Sequence, residues 1–193
     1  NGFGNCVKIP GQEKIPPYAK VRSYPIFERQ EIIWIWMGDP SLANEAKLLV
    51  DFPWNNDHES WPHIHDMYEV ECNYMLLIDN LMDLTHIPYI HGNTIGGGDQ
   101  RGQVDATMDV TPRETGVHYM RWMEKIVPPP TYVKGAGFKD GTLVDRWQEF
   151  EYIVPSTVVQ WVGALEEGRG ARKNRNQPGG FNIRIYHGVT PKT

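Results

Sequence analysis

Apolar positions along this chain fall in short runs separated by turn residues. Val21 to Phe27 and Ile32 to Met37 are two such runs, the second reading Ile-Ile-Trp-Ile-Trp-Met. Polar Glu28-Arg29-Gln30-Glu31 lies between them. Aromatic and β-branched residues suit a pleated, half-buried surface, so the pattern predicts an antiparallel hairpin followed by a turn at Gly38-Asp39-Pro40. Residues 41 to 68 are irregular and rich in Pro, Asn, Asp and His. From about 73 to 86, Leu77, Leu81 and Leu84 recur at spacings of four and three, and Tyr74 and Met75 widen the apolar face. That period predicts a helix. It breaks near Pro88, which has no N–H and clashes with the carbonyl of residue 84.

A Gly run, Gly96 to Gly98, follows. Residues 103 to 111 and 115 to 127 predict a second hairpin, with Thr111-Pro112-Arg113 near its turn. Pro128-Pro129-Pro130 cannot join a sheet interior. Residues 142 to 152 predict a helix, and Thr157 to Ala164 and Phe181 to Gly188 predict strands. The stretch between them, 166 to 180, is a polar, Gly-rich loop. The fold class is therefore α+β: a β piece ending near residue 40, then an antiparallel sheet with at least two helices.

Composition narrows the class. The chain has 193 residues, 40% hydrophobic and 22% charged, which is ordinary for one globular domain or slightly more. Its net charge of −5 argues against a nucleic-acid partner. Its longest apolar run, six residues from Ile32 to Met37, is far short of the ~20 needed to span a membrane. Two cysteines, Cys6 and Cys72, exclude a disulfide-dense scaffold and fit the cytoplasm. Cys72, against the predicted helix start, is expected to be a small buried hydrophobe.

The candidate chemistry lies among seven histidines, above all His86 and His91. On a straight helix, residues five apart differ by about 140° around the axis and cannot share a metal. Pro88 between them forces a kink that swings His91 back. Asp83, three residues before His86, would share its helix face and accept its second ring N–H. Two imidazoles and a carboxylate with open positions form the usual non-haem Fe(II) oxygenase site. The spacing permits such a site and equally permits two helix-end histidines with ordinary hydrogen bonds.

The residues 73 to 95 resemble the catalytic helix of the Rieske-type non-haem iron oxygenases. The pattern is Asn-x-x-Asp-x-x-His-x-x-x-x-His, matched by Asn80, Asp83, His86 and His91. Asp-Asn-Leu-Met-Asp-Leu-Thr-His looks most like the branch of vanillate O-demethylase oxygenase subunits. Ile9-Pro10-Gly11-Gln12, residues 19–25 and 33–40, and Val144-Asp145-Arg146-Trp147 are similar to the same branch.

The resemblance implies that residues 1–40 are the tail of a Rieske [2Fe–2S] domain. Residues 41–193 would then be a mononuclear-iron catalytic domain with a helix-grip-like sheet, truncated at its C-terminus. It implies that His86 and His91 bind Fe(II), that Asp83 bridges to the neighbouring subunit's cluster, and that Asn80 lies near the iron without ligating it. Cluster ligands in the Cys-x-His and Cys-x-x-His patterns are expected before Asn1, and a third, aspartate ligand after Thr193. Asp145 is not assigned as that ligand. The implied partners are an aromatic acid, O₂, a homotrimer, and a reductase or ferredoxin carrying electrons from NAD(P)H. Methyl hydroxylation of a methoxybenzoate would release formaldehyde and leave a phenol. A non-catalytic helix-grip binder of apolar ligands and a structural Zn site are the alternatives.

Four further features carry expectations. His63 and His65 share one face if extended, as a metal pair would, while a polar loop before the catalytic helix is the favoured reading. His118 is structural or pocket-lining. His187, on the last strand, is a candidate to face substrate. Arg169, Arg172, Lys173 and Arg175 are expected in a solvated loop, with Glu166 and Glu167 nearby.

Overall fold

The computed structural model describes residues 1–48, 50–97 and 100–191, so Gly98 of the predicted Gly run lies outside the described residues. The chain forms two compact units, Asn1–Ile64 and His65–Thr193. Residues 41–64, expected with the catalytic region, make their contacts in the first unit.

In the first unit, β1 (Ile26–Arg29) pairs antiparallel with β2 (Ile32–Ile35), Arg29 opposite Ile32. The two-residue connection, Gln30 and Glu31, has positive φ at both positions (55° and 61°). A type I′ turn needs that conformation, but Asn-Gly usually supplies it, because a Cβ makes it costly. Surrounding contacts hold Gln30 there. Its Nε2 donates to Asp51 Oδ1 (2.6 Å), its Oε1 accepts from Phe52 N (2.5 Å) and its carbonyl accepts from Asn55 Nδ2 (3.1 Å).

The second unit is a five-stranded antiparallel meander. Its strands are β3 (Thr107–Arg113), β4 (Gly116–Ile126), β5 (Val144–Ile153), β6 (Thr157–Glu166) and β7 (Phe181–Gly188), in that spatial order. Among the described residues four helices accompany it: α1 (Tyr74–Met82), α2 (Ile87–Ile90), α3 (Gln100–Val104) and α4 (Pro130–Ala136). Pro112 lies in β3, an edge strand, where a missing N–H is tolerated. The start of the predicted second hairpin is instead α3, and the hairpin itself begins at Thr107. No helix among the described residues is long and apolar enough to cross a membrane.

The helix expected over 142–152 is the strand β5. Val144, Trp147, Phe150 and Ile153 recur every third residue, which imitates a helical face. In fact β5 is the central strand, and each of its faces mixes apolar with polar side chains, Arg146 and Gln148 beside Phe150 on one and Glu149 beside Trp147 on the other, so the period of two is hidden.

One face of the sheet receives the helices. Ile78 of α1, Leu84 and Ile87 pack on Tyr119, Phe150, Val158 and Val162. Farther along, Tyr132 of α4 packs with Met123, Val144 and Ala164. The opposite face carries Trp122, Trp147 and Leu165 beneath Ala171 of the 167–180 loop. Trp147 is fully buried and sits opposite Gly163 in the β5–β6 register. A Cβ on Gly163 would come within 3.0 Å of both the Trp147 ring and the Phe181 carbonyl. Replacing Gly163→Ala is therefore expected to destabilise the chain by about 1–3 kcal/mol through overpacking. A chemical denaturation midpoint that does not move would refute this.

Candidate metal centre

The segment that carries His86 and His91 is shaped by a helix that stops early. Asn73 caps α1, its side chain accepting from Met75 N (2.9 Å), and apolar residues seat the helix on the sheet. The last residue in it is Met82, not 86. Asp83 is extended (φ −92°, ψ 108°), and its Oδ1 accepts from both the backbone N–H (2.8 Å) and the hydroxyl (2.7 Å) of Thr85. A short polar side chain offers the backbone an alternative to the helical ladder, and here it prevails. The same two bonds, with His86 nearby, hold the Asp83 carboxyl below its usual range. Since Asp83 is extended, the helical i,i+3 arrangement expected for Asp83 and His86 does not form.

Pro88 is not the breaker that the spacing suggests. It lies in the first turn of α2, where its missing N–H leaves no helical bond unmade. His86 and His91 are the residues flanking that single turn, and His91 N donates to the Ile87 carbonyl (3.0 Å). The turn brings the two half-buried imidazoles together, ring centroids 5.3 Å apart at 64°.

Buried Leu84 and Ile87 anchor the turn, and Tyr119 donates its hydroxyl to the Met82 carbonyl (3.3 Å). Burial pushes the Tyr119 phenol up, so it stays a donor. After the turn, the His91 carbonyl accepts from the N–H groups of Thr94 and Gly96 (2.9 Å each). Gly96 lies so close over the Ile87 carbonyl that no side chain fits there.

Two neighbouring imidazoles are suitable donors for a non-haem iron, a zinc or another borderline ion. Among the described residues, no third His, Cys, Asp or Glu donor joins them. Asp145 is far from such a role: its carboxylate accepts from Lys125 N (3.3 Å) at the β4 bulge and from Gly168 N (3.4 Å). Asp83 and Asn80 are both exposed.

The other sequence candidates separate. His187 pairs in register with Val158 and so shares the helix-facing side of the sheet. Its Nε2 is buried with no partner among the described residues, and burial pushes its pKa down, leaving a neutral ring. Gln148 and Gln160 are buried on the same side, polar positions that sequence spacing does not flag.

His118 is on the opposite side, 2.9 Å from Glu149, which also pairs with Arg175 (2.7 Å). The arginines of the 166–180 loop are not simply solvated. Arg175 stacks over Trp161, and Arg172 reaches Glu124 (2.7 Å) and the Trp122 face. Aromatic rings on the sheet attract these cations, and a count of nearby acids in the sequence misses them. Cys72 is exposed, contrary to expectation, because it precedes the cap Asn73 and has no place on the buried side of α1.

The vanillate O-demethylase oxygenase C-terminal domain family matches residues 70–193. The toluene-4-sulfonate monooxygenase system iron-sulfur subunit of Comamonas testosteroni is 34% identical over all of this chain and 54% of its own length. A vanillate O-demethylase oxygenase subunit of a Pseudomonas species is 36% identical over 86% of this chain and 50% of its own. Crystal structures of dicamba monooxygenase superpose over 99% of this chain. With dicamba bound, the TM-score is 0.80 at 28% identity over 52% of that chain. With non-heme iron and dicamba, it is 0.70 at 27% identity over 51%. The chain thus spans about half the length of the curated relatives it matches. It belongs to the Rieske-type oxygenase family, in the branch with the vanillate O-demethylase oxygenase C-terminal domain.

Proposed function

We propose that this chain is part of the oxygenase component of a Rieske-type non-haem iron monooxygenase that O-demethylates an aromatic acid such as a methoxybenzoate. The observation that carries the reading is the approach of His86 and His91 across the single turn of α2. It is supported by relatives whose names pair an oxygenase with vanillate or dicamba. When bound, Fe(II) would supply the reduction of O₂.

The chain's own residues have distinct tasks. His86 and His91 would hold the iron, and an aspartate from beyond Thr193 would complete the set. Buried Leu84 and Ile87 fix the turn that aims both rings. Asp83, exposed and kept anionic by Thr85, would bridge to the Rieske cluster of an adjacent protomer in a homotrimer. Asn80 would border the same crossing. Residues 1–40 would be the tail of the Rieske domain, with the cluster ligands ahead of Asn1. Electrons would come from NAD(P)H through a separate reductase or ferredoxin in the cytoplasm.

The substrate would enter on the helix-facing side of the sheet, beside the apolar layer in which Tyr119, Phe150 and Val158 pack against Ile78, Leu84 and Ile87. The neutral His187 ring, with its unpartnered Nε2, would meet a polar group of the substrate.

Three outcomes are expected in the full-length protein. His86→Ala and His91→Ala should each lose the mononuclear iron, measured by metal analysis against an unchanged [2Fe–2S] absorbance. Retained iron would refute the ligand assignment. Wild-type protein that holds no such iron yet binds an aromatic acid would favour the binding-module reading. Asp83→Ala should keep iron and lose turnover, with cluster reoxidation by O₂ and substrate slowed; unchanged single-turnover electron transfer would remove its bridging role. Replacing His187→Leu should raise KM about tenfold, the loss of one polar contact, with a smaller change in kcat. An unaltered KM would exclude His187 from the substrate.

A further inference from the structure

A second cluster of metal-ligating side chains lies in the first unit and plays no part in the function proposed above. Glu31, His58 and His63 each present one donor atom, all within 4.8 Å of one another. The His58 Nε2 is 2.5 Å from Glu31 Oε1, and the His63 Nε2 is 3.2 Å from Glu31 Oε2. One carboxylate thus faces two imidazoles, one on each oxygen.

The orientation of His63 is informative. Its Nδ1 lies 2.9 Å from the Trp61 carbonyl. A carbonyl only accepts, so Nδ1 carries a proton and Nε2 is the nitrogen turned toward Glu31. A histidine that donates its other ring N–H to a backbone carbonyl is oriented as metal-ligating histidines almost always are. A lone pair aimed at a carboxylate needs a cation between them, either a proton or a metal ion.

The rings of His58 and His63 also stack, centroids 4.6 Å apart and 29° between planes. Protonating both would bring two like charges face to face. A single divalent ion at the centre satisfies both rings and the carboxylate without that repulsion, releasing whatever protons the ligands carry.

Glu31 reaches this position because it is the second residue of the β1–β2 turn, held at φ 61°. Strained backbone of this kind concentrates where side chains must be placed for a task. Two imidazoles and one carboxylate, with an open coordination position, match Zn²⁺ better than Mg²⁺ or Ca²⁺, which prefer oxygen ligands.

We infer that Glu31, His58 and His63 form a divalent transition-metal site of the zinc type, separate from the His86–His91 pair. The ion would tie residues 58–63 to the β1–β2 turn. With side-chain exposures of 61%, 39% and 19% for His58, Glu31 and His63, the site is open to solvent, so the ion exchanges.

The test uses the full chain carrying His86→Ala and His91→Ala, so that, among the described residues, this cluster is the group of three metal-ligating side chains left to be read. Metal-free protein is titrated with Zn²⁺ against a chromophoric chelator, and separately with Co²⁺ while visible absorption is recorded. One Zn²⁺ per chain is expected, with d–d bands of low-coordinate Co²⁺. Adding His58→Gln or Glu31→Gln should weaken Zn²⁺ at least about tenfold and abolish the bands. Circular dichroism identifies a variant that has failed to fold. In that event His63→Gln, with thermal melts with and without Zn²⁺, replaces it, and the Zn²⁺-dependent rise in Tm should vanish. Absence of Zn²⁺ uptake by the parent protein, or uptake indifferent to these substitutions, overturns the site and leaves the cluster an ion-paired triad only.

Discussion

The reversal of the chain at Asp83 is the constraint on which the histidine pair depends. Apolar spacing favours continuing α1 through Leu84, and a continuous helix would point His86 and His91 in different directions. Asp83 instead gives its carboxylate to Thr85, and the backbone leaves the helical ladder. Leu84 is then free to bury itself against the sheet, and Ile87 follows it. A local competition between one side chain and the main chain, about 1 kcal/mol on either side, thereby decides where the two imidazole rings lie.

The sheet divides the labour between its two sides. The helix-facing side is mainly apolar, with a few buried polar groups such as Gln148 and Gln160. The other side is a ladder of charge and aromatic rings, where Arg175 and Arg184 both lie 3.5 Å from the Trp161 ring centre. Burial, then the neighbouring Arg175, pull the Arg184 guanidinium down from its ordinary range. The 167–180 loop therefore acts as a packed layer, closing the side of Trp147 that no helix covers.

What the sequence reveals follows from how local each interaction is. The β1–β2 hairpin, α1, β6 and β7 announce themselves through period and turn residues, and their centres fall where spacing puts them. The pairing of His86 and His91 is legible because only one proline-bearing turn separates them. β5 is not, because a strand with apolar and polar side chains mixed on each face loses its alternation and Val144, Trp147 and Phe150 imitate a helix. The cluster at Glu31 is hidden for a different reason. His58 and His63 are 27 and 32 residues from it, and the hairpin turn brings them together. His63 and His65 catch the eye in the sequence, yet the partner that packs on His63 is His58.

The single turn of α2 has a kinetic consequence. Its two histidines enclose four residues, so their approach is a low-contact-order event. Closing a loop that small costs little chain entropy, and loops of about ten residues close in roughly 10–100 ns. The sheet, built from long antiparallel pairings, assembles far more slowly. The turn can therefore close early, but its two rings are held in place only once Leu84 and Ile87 find the sheet beneath them. On the reading proposed above, metal selectivity would come from the third donor, since two imidazoles alone suit many borderline ions.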